Sequence, residues 1–268
     1  MAAYHQRMDS SPSDRGVLRP ELLPEFSRLP ATGSAADLVR WFWISRWDLP
    51  LGRQSTQDVI AFGALNLVVQ HDETVISGAT TRISHRTLIG TGWAVGALLQ
   101  PAASVGLPVQ PLDLVDRVES VDGAEWSGLH SAVSDEMSRR PPDLAAATAA
   151  ISAWLIDRVT PTDEALLVNR AVTSMETDPS LVRVDQTARR FNVSERTLQR
   201  LTSKYVGVSP ASLIRRRRLQ EAAHRVRTRP DASLAQIAAD LGYTDHAHMT
   251  RDFASVLGFS PSAYRSDS

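Results

Sequence analysis

The sequence predicts an α+β protein: a small β-barrel or sandwich with following helices, then an all-α C-terminal domain. Three observations carry that reading. Between Asp37 and Leu99 short runs dense in aromatic and β-branched residues are broken by Gly, a pattern of strands in a barrel or sandwich. From Ala124 the apolar residues switch to spacings of three, four and seven, which is a helical stripe. From Val184 to Arg265 the chain repeats itself at an offset of 50 to 51 residues, so one supersecondary unit is built twice.

Composition divides the chain the same way. From Leu181 onward there are 15 Lys and Arg against 8 Asp and Glu; the rest carries 14 against 22, so an overall charge of −1 hides a basic tail beside an acidic partner. That asymmetry fits a polyanion-binding domain joined to a regulatory or assembly module. All six Trp (41, 43, 47, 93, 126 and 154) lie in the acidic part. With no Cys in the sequence, disulfides, thiolate metal sites and cysteine nucleophiles are excluded. There is no 18-residue apolar run and no hydrophobic signal core after Met1, so a cytoplasmic protein without membrane attachment is expected.

Taken in order, residues 1–20 are rich in Ser, Pro, Arg and Asp and read as a flexible or loosely docked lead-in. A regulatory or dimerisation domain is expected over 21–160. Asp37 to Ser45 predicts a buried strand, Val59 to Val69 and Val75 to Ile76 two more, with His71-Asp72-Glu73 at the turn between them. Thr87 to Ile89 and Trp93 to Leu99 follow, separated by Gly90 and Gly92. Beyond them, Leu144, Ala147, Ile151, Trp154, Leu155 and Val159 form the apolar stripe, which either packs against the barrel or makes a dimer interface. Pro161 breaks the helix, and Thr162-Asp163-Glu164 caps the next one, over Glu164 to Thr177. The C-terminal domain is therefore placed at 164–268.

Each repeat reads as helix, tight turn, helix. Arg200 matches Arg251, Gly207 matches Gly258, and Ser209-Pro210 matches Ser260-Pro261, all 51 residues apart. Asn192 and Gly242 stand where each unit must turn, since both tolerate a left-handed backbone. Ser194 and Asp245 can cap the second helix of each unit. Leu198, Leu201 and Tyr205 form its buried side in one copy; Met249, Phe253 and Val256 do so in the other. Such a unit places its second helix in the major groove of DNA in many binding proteins.

These residues resemble the AraC-type (AraC/XylS) family of bacterial transcription regulators. The resemblance is carried by Ala188, Ser194, Leu198-Gln199-Arg200, Gly207-Val208-Ser209-Pro210, Arg218-Leu219-Gln220-Glu221-Ala222, Ile237-Ala238, Leu241-Gly242-Tyr243, Arg251-Asp252-Phe253, and Gly258 to Pro261 with Tyr264-Arg265. It covers nearly all of the last 85 or so residues. Thr202, Met249 and Arg225 depart from the usual pattern, which bears on local packing. A weaker resemblance, by pattern over roughly residues 20–125, is to the cupin-like N-terminal domain of many such regulators. The family resemblance implies that Arg218 turns inward as a structural arginine.

The resemblance implies a one-component regulator that reads two successive major-groove segments of double-stranded DNA, modulated by its N-terminal domain. Ser209 and Pro210 open a helix reaching Arg227, roughly 25 Å long, which would hold the two reading helices on one face of the duplex. Base contacts are expected from Arg196, Gln199, Arg200, His246, His248 and Arg251, since the Arg fork fits guanine and Gln fits adenine. Phosphate contacts are expected from Ser194, Lys204, Arg215, Arg216 and Asp245, the caps through their helix N-termini. Arg215 to Arg217 face either phosphate or solvent. A small-molecule effector and RNA polymerase are the further partners this reading admits, and the chain is a homodimer or a monomer. No cofactor, metal or catalytic residue is assigned, and no enzymatic activity is expected. The alternative is a cupin-type metal-dependent enzyme fused to a DNA-binding tail. It would need clustered His ligands, whereas His71 and His85 stand apart and His246 and His248 diverge on a helix.

Overall fold

The computed structural model describes Leu18, residues 25–60 and residues 62–266. Eight strands precede nine α-helices among these residues, with short 3-10 helices at Gly33–Asp37 and Pro101–Val105. The strands are β1 (Glu25–Pro30), β2 (Val39–Asp48), β3 (Gln54–Val59), β4 (Asn66–Gln70), β5 (Thr74–Ser77), β6 (Ser84–Ile89), β7 (Thr91–Leu99) and β8 (Val118–Ser120). Six of them form a sheet in the order β1-β2-β7-β4-β5-β8, and β3 pairs with β6 in a separate two-stranded sheet. Every described pairing is antiparallel.

The six-stranded sheet is built on alternation. Phe42 and Ile44 of β2 enter the main core, while Trp43 and Trp47 lie on the other face over Val68, Val75 and Ala94. That face needs two glycines on β7. A Cβ on Gly96 would stand 2.0 Å from the Trp43 indole, and one on Gly92 would stand 2.5 Å from Trp47. Gly92 therefore lies inside β7 rather than ending a strand, and the turn is made by Gly90 at φ 59°. The stretch Val59 to Val69, expected as one strand, is two elements with a crossing segment between them. β3 ends at Val59, Ile60 is fully buried in a C-terminal core, and β4 begins at Asn66. An apolar run records burial without saying against what.

α1 (Ala124–Met137) and α2 (Leu144–Arg158) cover the core face of the large sheet. Asp143 caps α2 by accepting from the Ala146 amide at 2.9 Å. Ala147, Ile151, Trp154, Leu155 and Val159 are all buried against Phe42, Leu67, Val95 and Ala97. The stripe thus packs within the chain, so any dimer interface must use another surface. Each of the larger side chains contributes about 1.5–3 kcal/mol by leaving water.

α3 (Asp163–Thr177) is wedged between the two parts. Thr162 caps it, accepting from the Ala165 amide at 3.2 Å. Its Asn169 donates to the Asp37 carbonyl and accepts from the Ala102 amide, both at 2.8 Å. Its Glu176 pairs with Arg40 of β2 inside the protein. On the other side Ala165, Val168, Val172 and Met175 join Leu201, Tyr205, Leu213 and Ile214 in one core. α4 (Val184–Arg190), α5 (Glu195–Val206), α6 (Pro210–Thr228), α7 (Leu234–Asp240), α8 (His246–Leu257) and α9 (Pro261–Ser266) complete the chain.

The N-terminal part also reaches past α3. Gln220 of α6 donates to the Ile60 carbonyl at 2.9 Å, and the Ile83 amide donates to the Val256 carbonyl of α8 at 3.0 Å. Of the lead-in expected over residues 1–20, only Leu18 is described; the rest lies outside the described residues. Leu18 is docked: it is 3 % exposed, and its carbonyl accepts from the Tyr264 hydroxyl at 2.6 Å. Among the described residues, no helix is long and apolar enough to cross a membrane.

Candidate nucleic-acid interface

The duplication visible in the sequence is a duplication of backbone geometry. Asn192 at φ 53° and Gly242 at φ 70° make the turn within each unit. Gly207 at φ 87° and Gly258 at φ 82° end α5 and α8 as left-handed caps. Ser194 accepts from the Thr197 amide at 3.0 Å and Asp245 from the His248 amide at 2.6 Å, so both second helices start from a side-chain cap. Ser209 and Ser233 cap α6 and α7 in the same way.

The buried faces follow the periodicity. Leu198, Leu201 and Tyr205 are 0, 2 and 5 % exposed; Met249, Phe253 and Val256 are 0, 0 and 9 % exposed. The three unusual residues are each accommodated. The Thr202 hydroxyl is buried and donates back to the Gln199 carbonyl at 3.2 Å. Met249 fills the α7–α8 core. Arg225 pairs with Glu221 at 2.8 Å and Asp240 at 3.4 Å, which ties α6 to α7.

With those faces turned inward, Arg196, Gln199 and Arg200 of α5 are exposed, as are His246, Ala247 and Arg251 of α8. Arg251 lies along its own helix, donating to the Ala247 carbonyl at 3.3 Å. His246 contacts Thr250 at 3.3 Å, while His248 is half-buried with its ring edge-on to Tyr243 at 5.3 Å. The two histidines thus part company, and no group of three His, Asp or Glu among the described residues could hold a metal. His71 lies 3.7 Å from Asp72, and His85 contacts Asp58 at 2.8 Å.

Basic side chains flanking the two helices have been given different tasks. Lys204 donates to Glu164 at 2.9 Å and Arg200 does so at 3.4 Å; the Tyr205 hydroxyl donates to the same carboxylate at 2.8 Å. The Lys204 and Tyr205 hydrogen bonds hold the Glu164 carboxyl at a pKa of about 2. Arg215 pairs with Asp252 at 2.9 Å and donates to the Ser255 hydroxyl at 2.7 Å, a brace from α6 to α8. Arg216 points into the N-terminal part, donating to the Thr80 hydroxyl at 3.2 Å, and burial lowers its pKa to about 10.

The expected inward turn of Arg218 is present, its Nε and Nη2 being buried, and a second arginine, Arg217, turns inward beside it. Arg217 is 8 % exposed and donates to the carbonyls of Asp178 and Leu181. Helical phase explains both: Arg217 sits four residues after Leu213 and three before Gln220, and Arg218 four after Ile214 and four before Ala222, all buried. Arg218 is one position round, with its guanidinium 3.8 Å from the centre of the Tyr243 ring. Glu164 was legible only as N-terminal charge on α3, because its partners lie 36 to 41 residues away.

Residues 187–267 match the family described as Helix-turn-helix domain, and residues 27–118 match one described as a domain of unknown function (DUF6597). The HTH-type transcriptional activator RhaS of Escherichia fergusonii is 36 % identical over 78 residues, which are 29 % of this chain and 28 % of that protein. An uncharacterized HTH-type transcriptional regulator of Haemophilus influenzae is 32 % identical over 82 residues, 31 % of this chain and 27 % of that one. The chain therefore spans little more than a quarter of either relative. Among solved structures, the DNA-binding domain of AdpA in complex with a target DNA is 26 % identical, covering 39 % of this chain and 90 % of that one at a TM-score of 0.33. Residues 187–267, with their twin capped helices and paired left-handed glycines, thus carry a helix-turn-helix domain of the AraC type.

Proposed function

We propose that the protein is a one-component transcription regulator that binds double-stranded DNA through α5 and α8, with its N-terminal domain adjusting that binding. The observation that carries the reading is the pair of helices with equivalent caps and turns, each exposing an arginine at the matching position, Arg200 and Arg251. α6 has 19 residues and so spans about 28 Å, close to the roughly 34 Å between successive major-groove segments. Arg196, Gln199 and Arg200 read bases in one segment; Arg251 and His246 read them in the next. Ser194 and Asp245 bring helix N-termini to the phosphates. Lys204 is free to contribute once it leaves Glu164, and Arg215 once it leaves Asp252. Arg216 joins them only when α6 separates from Thr80.

The N-terminal part is suited to adjust DNA binding because it grips α3, α6 and α8 at once. Its antiparallel sheets suit a cupin-like regulatory module, and a homodimer would form through surfaces other than the α2 stripe. We assign the protein no reaction. Titrating the full-length chain with duplex DNA at several salt concentrations tests the reading. Each phosphate contact steepens the log–log salt dependence by about 0.9; an affinity flat between about 50 and 300 mM salt overturns it.

A further inference from the structure

Between the two parts of the chain lies a cleft of about 510 Å³, within the size range of small-molecule sites and at the kind of domain junction where such sites form. Its walls come from both sides: Trp41 and Phe62 from the N-terminal part, Thr173 and Glu176 from α3, Arg217 and Gln220 from α6. Most polar groups around it are already engaged. Arg217 is held by two backbone carbonyls and Gln220 donates to the Ile60 carbonyl.

Three cleft residues are different. Arg40 spends only Nη1 on Glu176; its Nε and Nη2 are buried with no hydrogen-bond partner among the described residues. The Oε1 atoms of Glu176 and Gln100 are likewise buried and unpartnered. Buried polar groups are almost always paired, so four such atoms around one cleft call for an explanation. Nε and Nη2 form the side-on fork of a guanidinium, the pair with which Arg183 holds both oxygens of Asp185 in this same chain. Two donors in that geometry match a carboxylate. Glu176 and Gln100 offer only acceptors there, so they match a hydroxyl on the same molecule. Trp41 and Phe62 meet edge to face with centroids 4.7 Å apart, and the guanidinium groups of Arg28 and Arg40 lie over the Trp41 ring at 5.4 and 5.6 Å. This wall is thus aromatic and cationic together and suits a flat anionic ring.

We propose that this cleft binds a small aromatic hydroxy acid, its carboxylate on the Arg40 fork and its hydroxyl on Glu176 or Gln100. The proposal deepens the regulatory reading and rests on it only in taking the N-terminal domain to answer to a small molecule. An occupant would touch β2, α3 and α6 together, so its binding energy depends on how the two domains sit. That is the requirement for a ligand to shift a domain equilibrium.

The test uses the full-length chain and isothermal titration with 4-hydroxybenzoate, 4-hydroxyphenylacetate and 4-hydroxycinnamate, each against its methyl ester. At least one acid should bind, with its ester weaker by about tenfold or more, because the ester cannot satisfy a charged fork. Arg40→Lys keeps the charge beside Glu176 but removes the fork, and should weaken the acid by about tenfold. Thr173→Phe, at an exposed rim position, should block the cleft without disturbing the core, so it decides the matter if Arg40→Lys fails to fold. Ligand-dependent quenching of tryptophan emission should disappear in Trp41→Phe. No heat from any acid up to about 10 mM, equal binding of acid and ester, or unchanged binding by both variants overturns the proposal. The same preparations are titrated with duplex DNA at low salt. DNA binding without acid binding removes the cleft site alone, whereas loss of both removes the regulatory reading too.

Discussion

Replacing Glu164 with Gln should tighten DNA binding, because in the proposed binding mode this carboxylate would compete with phosphate for two cations on α5. It accepts from Lys204 at 2.9 Å and Arg200 at 3.4 Å, and the side chains are 40, 53 and 59 % exposed for Glu164, Lys204 and Arg200. Exposed pairs of this kind are worth about 0.2–1 kcal/mol each, and docking on DNA must loosen both. A carboxylate about 8 Å from a phosphate adds roughly 0.5 kcal/mol of repulsion in water, less once salt screens it. Together these give about 1 kcal/mol, or roughly fivefold tighter binding for Glu164→Gln at low salt. Fluorescence anisotropy with a labelled duplex at about 50 and 300 mM salt measures it, and the gain should shrink at the higher concentration. Equal or weaker binding by Glu164→Gln at low salt refutes the reasoning, since it would mean that Arg200 and Lys204 do not face the DNA. The same substitution has a pH signature. With the Glu164 pKa depressed to about 2 in the folded protein, the unfolded chain binds its proton more readily. Its contribution to stability is present above the unfolded value of about 4.3 and lost as pH falls toward 2. The stability difference between wild type and Glu164→Gln should vanish over that window.

The two left-handed glycines offer a matched comparison. Gly258→Ala strains a φ of 82° with nothing within 4 Å of the new Cβ, and should cost about 1–2 kcal/mol in urea unfolding. Gly207→Ala adds to the same strain a Cβ 2.4 Å from the Pro111 carbonyl oxygen, so it should cost clearly more; equal losses would show that Pro111 does not rest on α5. Phe253→Ala empties a fully buried site among Phe259 and Tyr264 and should lower stability by about 3–5 kcal/mol, read by thermal or urea melting. Arg251→Ala should weaken binding to a selected operator by about 1–3 kcal/mol while barely changing affinity for unrelated duplex. Equal loss on both would assign Arg251 to phosphate.

Much of the C-terminal domain is written locally. Its helix starts, turns and ends depend on Ser194, Asn192, Gly207 and their partners 50 to 51 residues on, and each acts within a few residues of itself through caps and allowed φ. The exposed residues proposed to read bases follow from the same periodicity, since fixing which side is buried fixes which side is not. Tertiary structure alone decided the rest. That Ile60 leaves its neighbours to enter the C-terminal core, that Gly92 and Gly96 exist to admit Trp47 and Trp43, that Arg217 turns inward beside Arg218, and that Arg40, Gln100 and Glu176 share one cleft all depend on residues distant in the chain. Periodicity records which residues avoid water; only the packed chain determines what each one meets instead, because burial is indifferent to the identity of the covering surface and hydrogen bonds are not.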